Sequence, residues 1–183
     1  IIPVYNIGGA LNRNCCVRAN QNGPEEYGFR GNAKYLDLNR DFIKCDTKNA
    51  LSFTKIFHAV RPDILIDTHT SNGADYQYVM TLIATQHNKL GEPLGPFLKN
   101  EMLPALYKKM KTGGYEMIPY VEYYNKSPES GLTGSIDNPR FSTGYASLFN
   151  TLAFTTETHM FKPFKDRVLA TYLFIKSRRL HEV

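Results

Sequence analysis

Polar and apolar positions along this chain fall into blocks of two different periods. From about Thr47 to Val60, residues Ala50, Phe53, Ile56, Phe57 and Val60 recur on one face of a helix. Asp46 or Thr47 is placed to cap it, and Arg61-Pro62 to stop it. A short apolar run follows, Ile64-Leu65-Ile66, of the kind that makes a buried strand, and it ends abruptly on Asp67, Thr68, His69 and Thr70. Leu98, Met102, Leu106 and Met110 predict a second amphipathic helix, which Pro104 kinks or delays and Gly113-Gly114 ends. "TLAFTTETH" repeats the earlier strand pattern, with apolar residues giving way to Glu157 and His159, and a last helix is expected from about Asp166 to the end.

The remaining stretches connect these blocks. Residues 1–5 read as a short apolar strand running into a Gly- and Asn-rich loop, and residues 20–34 as another loop. A strand is plausible over Tyr76 to Thr85. Residues 115–145 are rich in Gly, Pro, Ser, Asn and Tyr without a clear period, which suggests a long functional loop. Helices alternating with strands give an α/β class, in which function gathers at the C-terminal ends of strands.

Composition narrows the function classes. A chain of 183 residues with 42% hydrophobic and 21% charged positions suits one soluble domain with a real core. The net charge of +5 is modest, and the basic clusters at 99–111 and 162–179 fall in helical stretches, so they read as solvated faces rather than a nucleic-acid footprint. Three cysteines, with Cys15 and Cys16 adjacent, make neither a disulfide framework nor a metal knuckle. No apolar run reaches the length of a membrane span. The sequence opens directly on "IIPVYN", which suggests a segment upstream of it.

Three stretches carry candidate chemistry. His69 and Glu157 both sit where a buried strand turns polar, and a carboxylate in that position is costly unless paired or used. If the two strands lie close, an imidazole and a carboxylate share one crevice, the arrangement of metal-assisted hydrolysis. In "YLDLNRDF", Asn39 and Arg40 offer an amide beside a planar guanidinium, a pair suited to gripping a carboxylate; a surface ion pair with Asp37 or Asp41 is the bland alternative. His159, two residues beyond Glu157 on the same strand face, reads as packing, with support of the surroundings of Glu157 as the alternative, and His58 and His87 lack ligand spacing. No P-loop, dinucleotide fingerprint or nucleophile elbow occurs.

Taken in order, "RGNAKYLDLNRDF", "DILIDTHTSNG" and "TTETHMFKPFKDRV" resemble the zinc carboxypeptidase family, the carboxypeptidase A-like metallopeptidases. The resemblance implies a mixed, mostly parallel twisted sheet flanked by helices, with residues 1–183 forming part of one catalytic domain. It also implies hydrolysis of the C-terminal peptide bond of a peptide bearing a free C-terminal carboxylate. By the same resemblance His69 is a zinc ligand and Glu157 the general base. Arg30, nine residues before Asn39, steadies the oxyanion, and Asn39 and Arg40 hold the terminal carboxylate. Asp37 orients the first zinc histidine, and Tyr145, or failing that Tyr124, closes over substrate.

The family's His-x-x-Glu zinc motif does not occur in this sequence. A catalytic zinc takes about three protein ligands, so two are expected upstream and the 183 residues alone are expected to be inactive. An aspartoacylase-like N-acyl amino acid deacylase and a non-catalytic peptide-binding domain are the alternatives. Export is favoured by the resemblance alone.

Overall fold

The computed structural model describes residues 1–18, 21–71, 75–123 and 127–177. Its centre is a four-stranded sheet in the order β3 (Ile64–Ser71), β8 (Leu152–His159), β4 (Met80–Ala84) and β5 (Met117–Pro119). β3 runs parallel to β8 and β4 parallel to β5, while β4 and β8 are antiparallel. This is the mixed, mostly parallel α/β sheet flanked by helices that the sequence implied. Two small ribbons lie outside it, β1 (Arg13–Asn14) with β2 (Tyr27–Gly28), and β6 (Val121–Tyr123) with β7 (Leu132–Gly134). No helix among the described residues is long and apolar enough to cross a membrane.

Strand alternation divides the core in two. Leu152 and Phe154 project into a cluster with Leu98, Met102, Leu106, Met110 and Phe174, contributed by the helices on one face. Ala153 and Leu65 project the other way, against Phe42, Phe53, Phe57 and Tyr145. On that second face α2 (Lys48–Val60) starts at Thr47, whose hydroxyl accepts from the Ala50 N–H at 3.1 Å, and ends at Arg61 in the left-handed conformation. Ala50, Phe53 and Phe57 are buried as expected, but Ile56 and Val60 are exposed, so the apolar stripe is narrower than the sequence suggested. α5 (Ser142–Ser147) packs beside it through Tyr145 against Phe53 and Phe57, and it also lies so close to the segment before it that a Cβ on Gly144 would stand 2.3 Å from the Asp137 and Asn138 carbonyl oxygens.

On the first face, α3 (Leu94–Phe97) passes through one wide turn at Leu98–Met102 into α4 (Leu103–Thr112). Pro104 enters at the second residue of α4, and the widened turn accommodates its missing N–H. A Cβ on Gly113 would meet the Leu173 side chain at 2.3 Å, so where α4 abuts α6 (Phe164–Ser177) any larger residue would require Leu173 to shift. Residues 178–183, expected to continue this last helix, lie outside the described residues.

Three sequence expectations change. Residues 1–5 form no strand; Ile1, Ile2 and Val4 are exposed, and the Gly-rich segment after them folds into α1 (Ile7–Leu11), capped by Asn6. The strand expected over 76–85 narrows to Met80–Ala84. Within 115–145, β5, β6, β7 and the start of α5 replace the long loop. The adjacent Cys15 and Cys16 are disulfide-bonded to each other, and Cys45 is free.

Asp41 ties the "DLNRDF" stretch to α2. Its Oδ1 accepts from the Asp46 N–H at 2.9 Å, and its Oδ2 from the Thr47 N–H at 3.0 Å and hydroxyl at 2.6 Å, in a site 5% exposed. Asp41→Ala leaves two backbone N–H groups without their acceptor, and we expect a loss of about 3 kcal/mol by urea denaturation. Exposed Asp46→Ala is expected to change stability by less than about 0.5 kcal/mol.

Candidate functional site

The site begins where one face of the sheet changes character. Along β3, Leu65 packs into the core, and the next two side chains on the same face are Asp67 and His69; along β8, Ala153 is followed in the same way by Thr155 and Glu157. The parallel register sets Asp67 opposite Thr155 and His69 opposite Glu157. The imidazole is held between two acids, with Nε2 3.0 Å from Asp67 Oδ2 and Nδ1 3.4 Å from Glu157 Oε1. Ser142, at the start of α5, donates its hydroxyl to the same Asp67 oxygen at 2.6 Å.

Electrostatics follow from that sandwich. Burial alone would lower the His69 pKa, but the charge and hydrogen bond of Asp67, joined by Glu157, outweigh it and hold the ring protonated up to about 10. Burial would likewise raise the Asp67 pKa, yet the His69 charge and the hydrogen bonds from His69 and Ser142 bring it below the usual carboxylate range.

The "DLNR" turn forms the opposite wall. Asp37 accepts from the Asn39 N–H at 2.9 Å, starting a single 3-10 turn over Leu38–Arg40. Its other oxygen takes the Arg30 guanidinium, with Nε at 3.2 Å and Nη2 at 2.9 Å. The resemblance assigns Asp37 to a zinc histidine; here its carboxylate orients Arg30. The backbone of Phe29, Arg30 and Gly31 is fixed by Asn6, whose Nδ2 lies 3.2, 3.0 and 3.1 Å from their carbonyl oxygens.

Arg30, Asn39, Arg40, His69 and Glu157 all line one open cavity of about 940 Å³, and Asp37 lies beside them in its wall. The structure therefore brings together the residues named from three separated stretches. It does not bring Tyr145 there. That ring is 4% exposed in the aromatic cluster behind the cavity, and its hydroxyl meets His58 Nε2 at 3.0 Å, so Tyr145 is corrected from a substrate contact to a core residue. Which side of a short helix an aromatic faces cannot be read from "STGYAS". Tyr124 lies outside the described residues.

Other lining residues were not singled out from sequence. Arg18 donates to the Thr70 carbonyl at 2.9 Å; burial and the nearby Arg30 lower its pKa, while Glu157 opposes them. Tyr5 presents a buried hydroxyl with no hydrogen-bond partner among the described residues, its pKa raised by burial and by Asp41 and Asp67. Asp137 is 2% exposed, with Oδ1 on Lys89 at 2.6 Å. Arg140 stands against Phe141. Asp67 was visible in principle, because residues two apart on a strand share a face.

The donor set can be tested against a zinc ion. Asp67 occupies Nε2 and leaves Nδ1 toward Glu157, the carboxylate–histidine pairing that orients metal-binding imidazoles. That fits one ligand. It does not make a whole site, since among the described residues no group of three or more His, Cys, Asp or Glu side chains could hold a metal.

No protein-family model and no curated protein matches the sequence. Among solved structures, a metallo-carboxypeptidase from Burkholderia cenocepacia superposes with a TM-score of 0.60 at 17% identity, covering 84% of this chain and 40% of that one. A metallo-carboxypeptidase from Pseudomonas aeruginosa, in complex with (2-guanidinoethylmercapto)succinic acid, gives 0.57 at 15% identity, covering 90% of this chain and 43% of that one. The fold is thus that of metallo-carboxypeptidases, and the chain spans about two-fifths of the length of these structures.

His159 secures the strand tips. Its Nδ1 meets the Ser71 hydroxyl at 2.7 Å and its ring stacks on Tyr76 at 4.3 Å, while burial, helped by Lys162 and opposed by Asp75, lowers its pKa from 6.5 to about 4. A histidine depressed in the folded state gives stability that is present above pH 6.5 and lost as pH falls towards about 4. His159→Gln is expected to remove that part of the acid dependence. Unfolding free energies of both proteins, measured across this range, check it; equal slopes would refute it.

Proposed function

We propose that the cavity is part of the active site of a zinc-dependent metallocarboxypeptidase, and that residues 1–183 form part of its catalytic domain. The observation that carries this reading is the pairing of His69 with Glu157 in register on adjacent strands, facing the wall that bears Arg30, Asn39 and Arg40. The carboxylate-bearing ligand named in the Pseudomonas structure agrees with a site for carboxylates.

In this reading the terminal carboxylate of a peptide lies on the Asn39 amide and the Arg40 guanidinium, which places the last peptide bond towards His69 and Glu157. Arg30, held by Asp37, donates to the scissile carbonyl oxygen as negative charge develops on it. Glu157 accepts the proton of the attacking water and returns it to the leaving amine. Asp67 fixes the orientation of His69 through Nε2. A zinc ion, when bound, would supply Lewis acidity at the carbonyl. This chain would contribute His69 to it, with the other ligands expected from outside the described residues.

The incomplete ligand set favours one second reading, a domain that binds peptide C-termini without hydrolysing them. An assay of the full-length gene product separates the two. The enzyme reading expects release of the last residue from peptides with a free C-terminus and none from amidated ones. Glu157→Gln is expected to lower kcat roughly 10²- to 10⁴-fold with little change in KM. Cleavage of N-acyl amino acids alone would replace the peptidase with a deacylase, and binding without turnover would leave the non-catalytic reading. The 183-residue chain by itself is expected to retain far less than one equivalent of zinc after dialysis; a full equivalent would refute the incomplete ligand set.

A further inference from the structure

We propose that the cavity selects a C-terminal residue carrying a second carboxylate, aspartate or glutamate, and that Arg140 is the residue that receives it. This deepens the carboxypeptidase reading and rests on it.

The argument is one of charge matching. Among the described residues, most ionisable groups lining the cavity are already paired. Arg30 is bound to Asp37 at 2.9 Å, Arg13 to Glu26 at 3.5 Å and Asp137 to Lys89 at 2.6 Å, while His69 lies between Asp67 and Glu157. Arg18, Arg40 and Arg140 line the same cavity and form no ion pair among the described residues, where Glu122 is the one lining acid left over. Arg18 is anchored on the Thr70 carbonyl and Arg40 on the Asn39 carbonyl at 2.8 Å. Arg140 has no hydrogen-bond acceptor among the described residues; its contact is with a ring.

That ring is shared. The guanidinium carbons of Arg40 and Arg140 stand 4.7 and 4.9 Å from the centre of Phe141. A π face steadies a guanidinium while leaving its N–H edges free to donate. Two such groups on one aromatic side chain form a platform for two carboxylates of one small molecule. With the α-carboxylate on Asn39 and Arg40, an apolar side chain would leave Arg140 unmatched, whereas an acidic one meets it with a charge-assisted hydrogen bond. Asp137, three residues before Arg140, makes no ion pair with it: its Oδ1 and carbonyl oxygen are on Lys89 at 2.6 Å, and its Oδ2 is buried without a hydrogen-bond partner among the described residues.

N-acetyl-L-glutamate and N-acetyl-L-glutamine share an α-carboxylate and differ in the charge of an isosteric side-chain group. Calorimetric titration of the 183-residue chain at low ionic strength is expected to show about tenfold tighter binding of the glutamate compound. Arg140→Ala is expected to abolish that preference, and Arg40→Ala to weaken both ligands. Arg140 is exposed, so its variant should unfold at the wild-type midpoint. Equal binding of both compounds, still sensitive to Arg40→Ala, would overturn the acidic selectivity while leaving the carboxylate grip intact. A preference surviving Arg140→Ala would overturn the role of Arg140, and no binding of either compound would overturn the grip as well.

Discussion

The parallel register of β3 against β8 is the constraint on which the rest of the site depends. Side chains on a strand alternate, so a slip of one residue would turn either His69 or Glu157 to the opposite face of the sheet. Burial on both faces resists such a slip. Leu65 and Ala153 are committed to the aromatic core, and Leu152 and Phe154 to the Met- and Leu-rich core. At the far end, Ser71 with His159 and Thr70 with Thr158 hold the strand tips by side-chain hydrogen bonds. The apolar half of each strand thus fixes where the polar half points.

On this sheet face and on the wall opposite it, the site rests on charges that restrain one another. A protonated ring between two carboxylates, and a guanidinium clamped by an aspartate, keep several ionisable groups in fixed positions where isolated ones would be costly. The same pairing lowers the electrostatic background of the cavity, so the few unpaired cations dominate what remains. Fixed charges that need not reorganise are available to stabilise charge as it develops on a bound group.

How much of this was legible in the sequence depends on the range over which each feature is determined. β3, β8, α2 and α4 follow from local apolar patterns and caps, and they appear close to where those patterns put them. That both polar strand ends meet was an inference from two similar strings, and the register makes it concrete. Residues 1–5 look like a strand because they are apolar, but no partner strand lies beside them among the described residues. β5, β6 and β7 were hidden in 115–145 because each is three residues long. Arg140 and Asp137 join the cavity only through the fold of that segment over the sheet, which no local spacing reveals. Tyr145 shows the opposite error, a residue chosen by type whose environment is decided by packing.

The amide of Asn6 gives the start of the chain an importance its exposure conceals. It bonds three successive carbonyls around Arg30, and Asn49 reaches back from α2 to the Tyr5 carbonyl at 2.8 Å. These residues act as a mooring line between a helix and the loop that bears Arg30. Loss of residues 1–6 would cut that line and set the Arg30 loop adrift, beyond the direct loss of Val4, Tyr5 and Asn6 from the cavity wall.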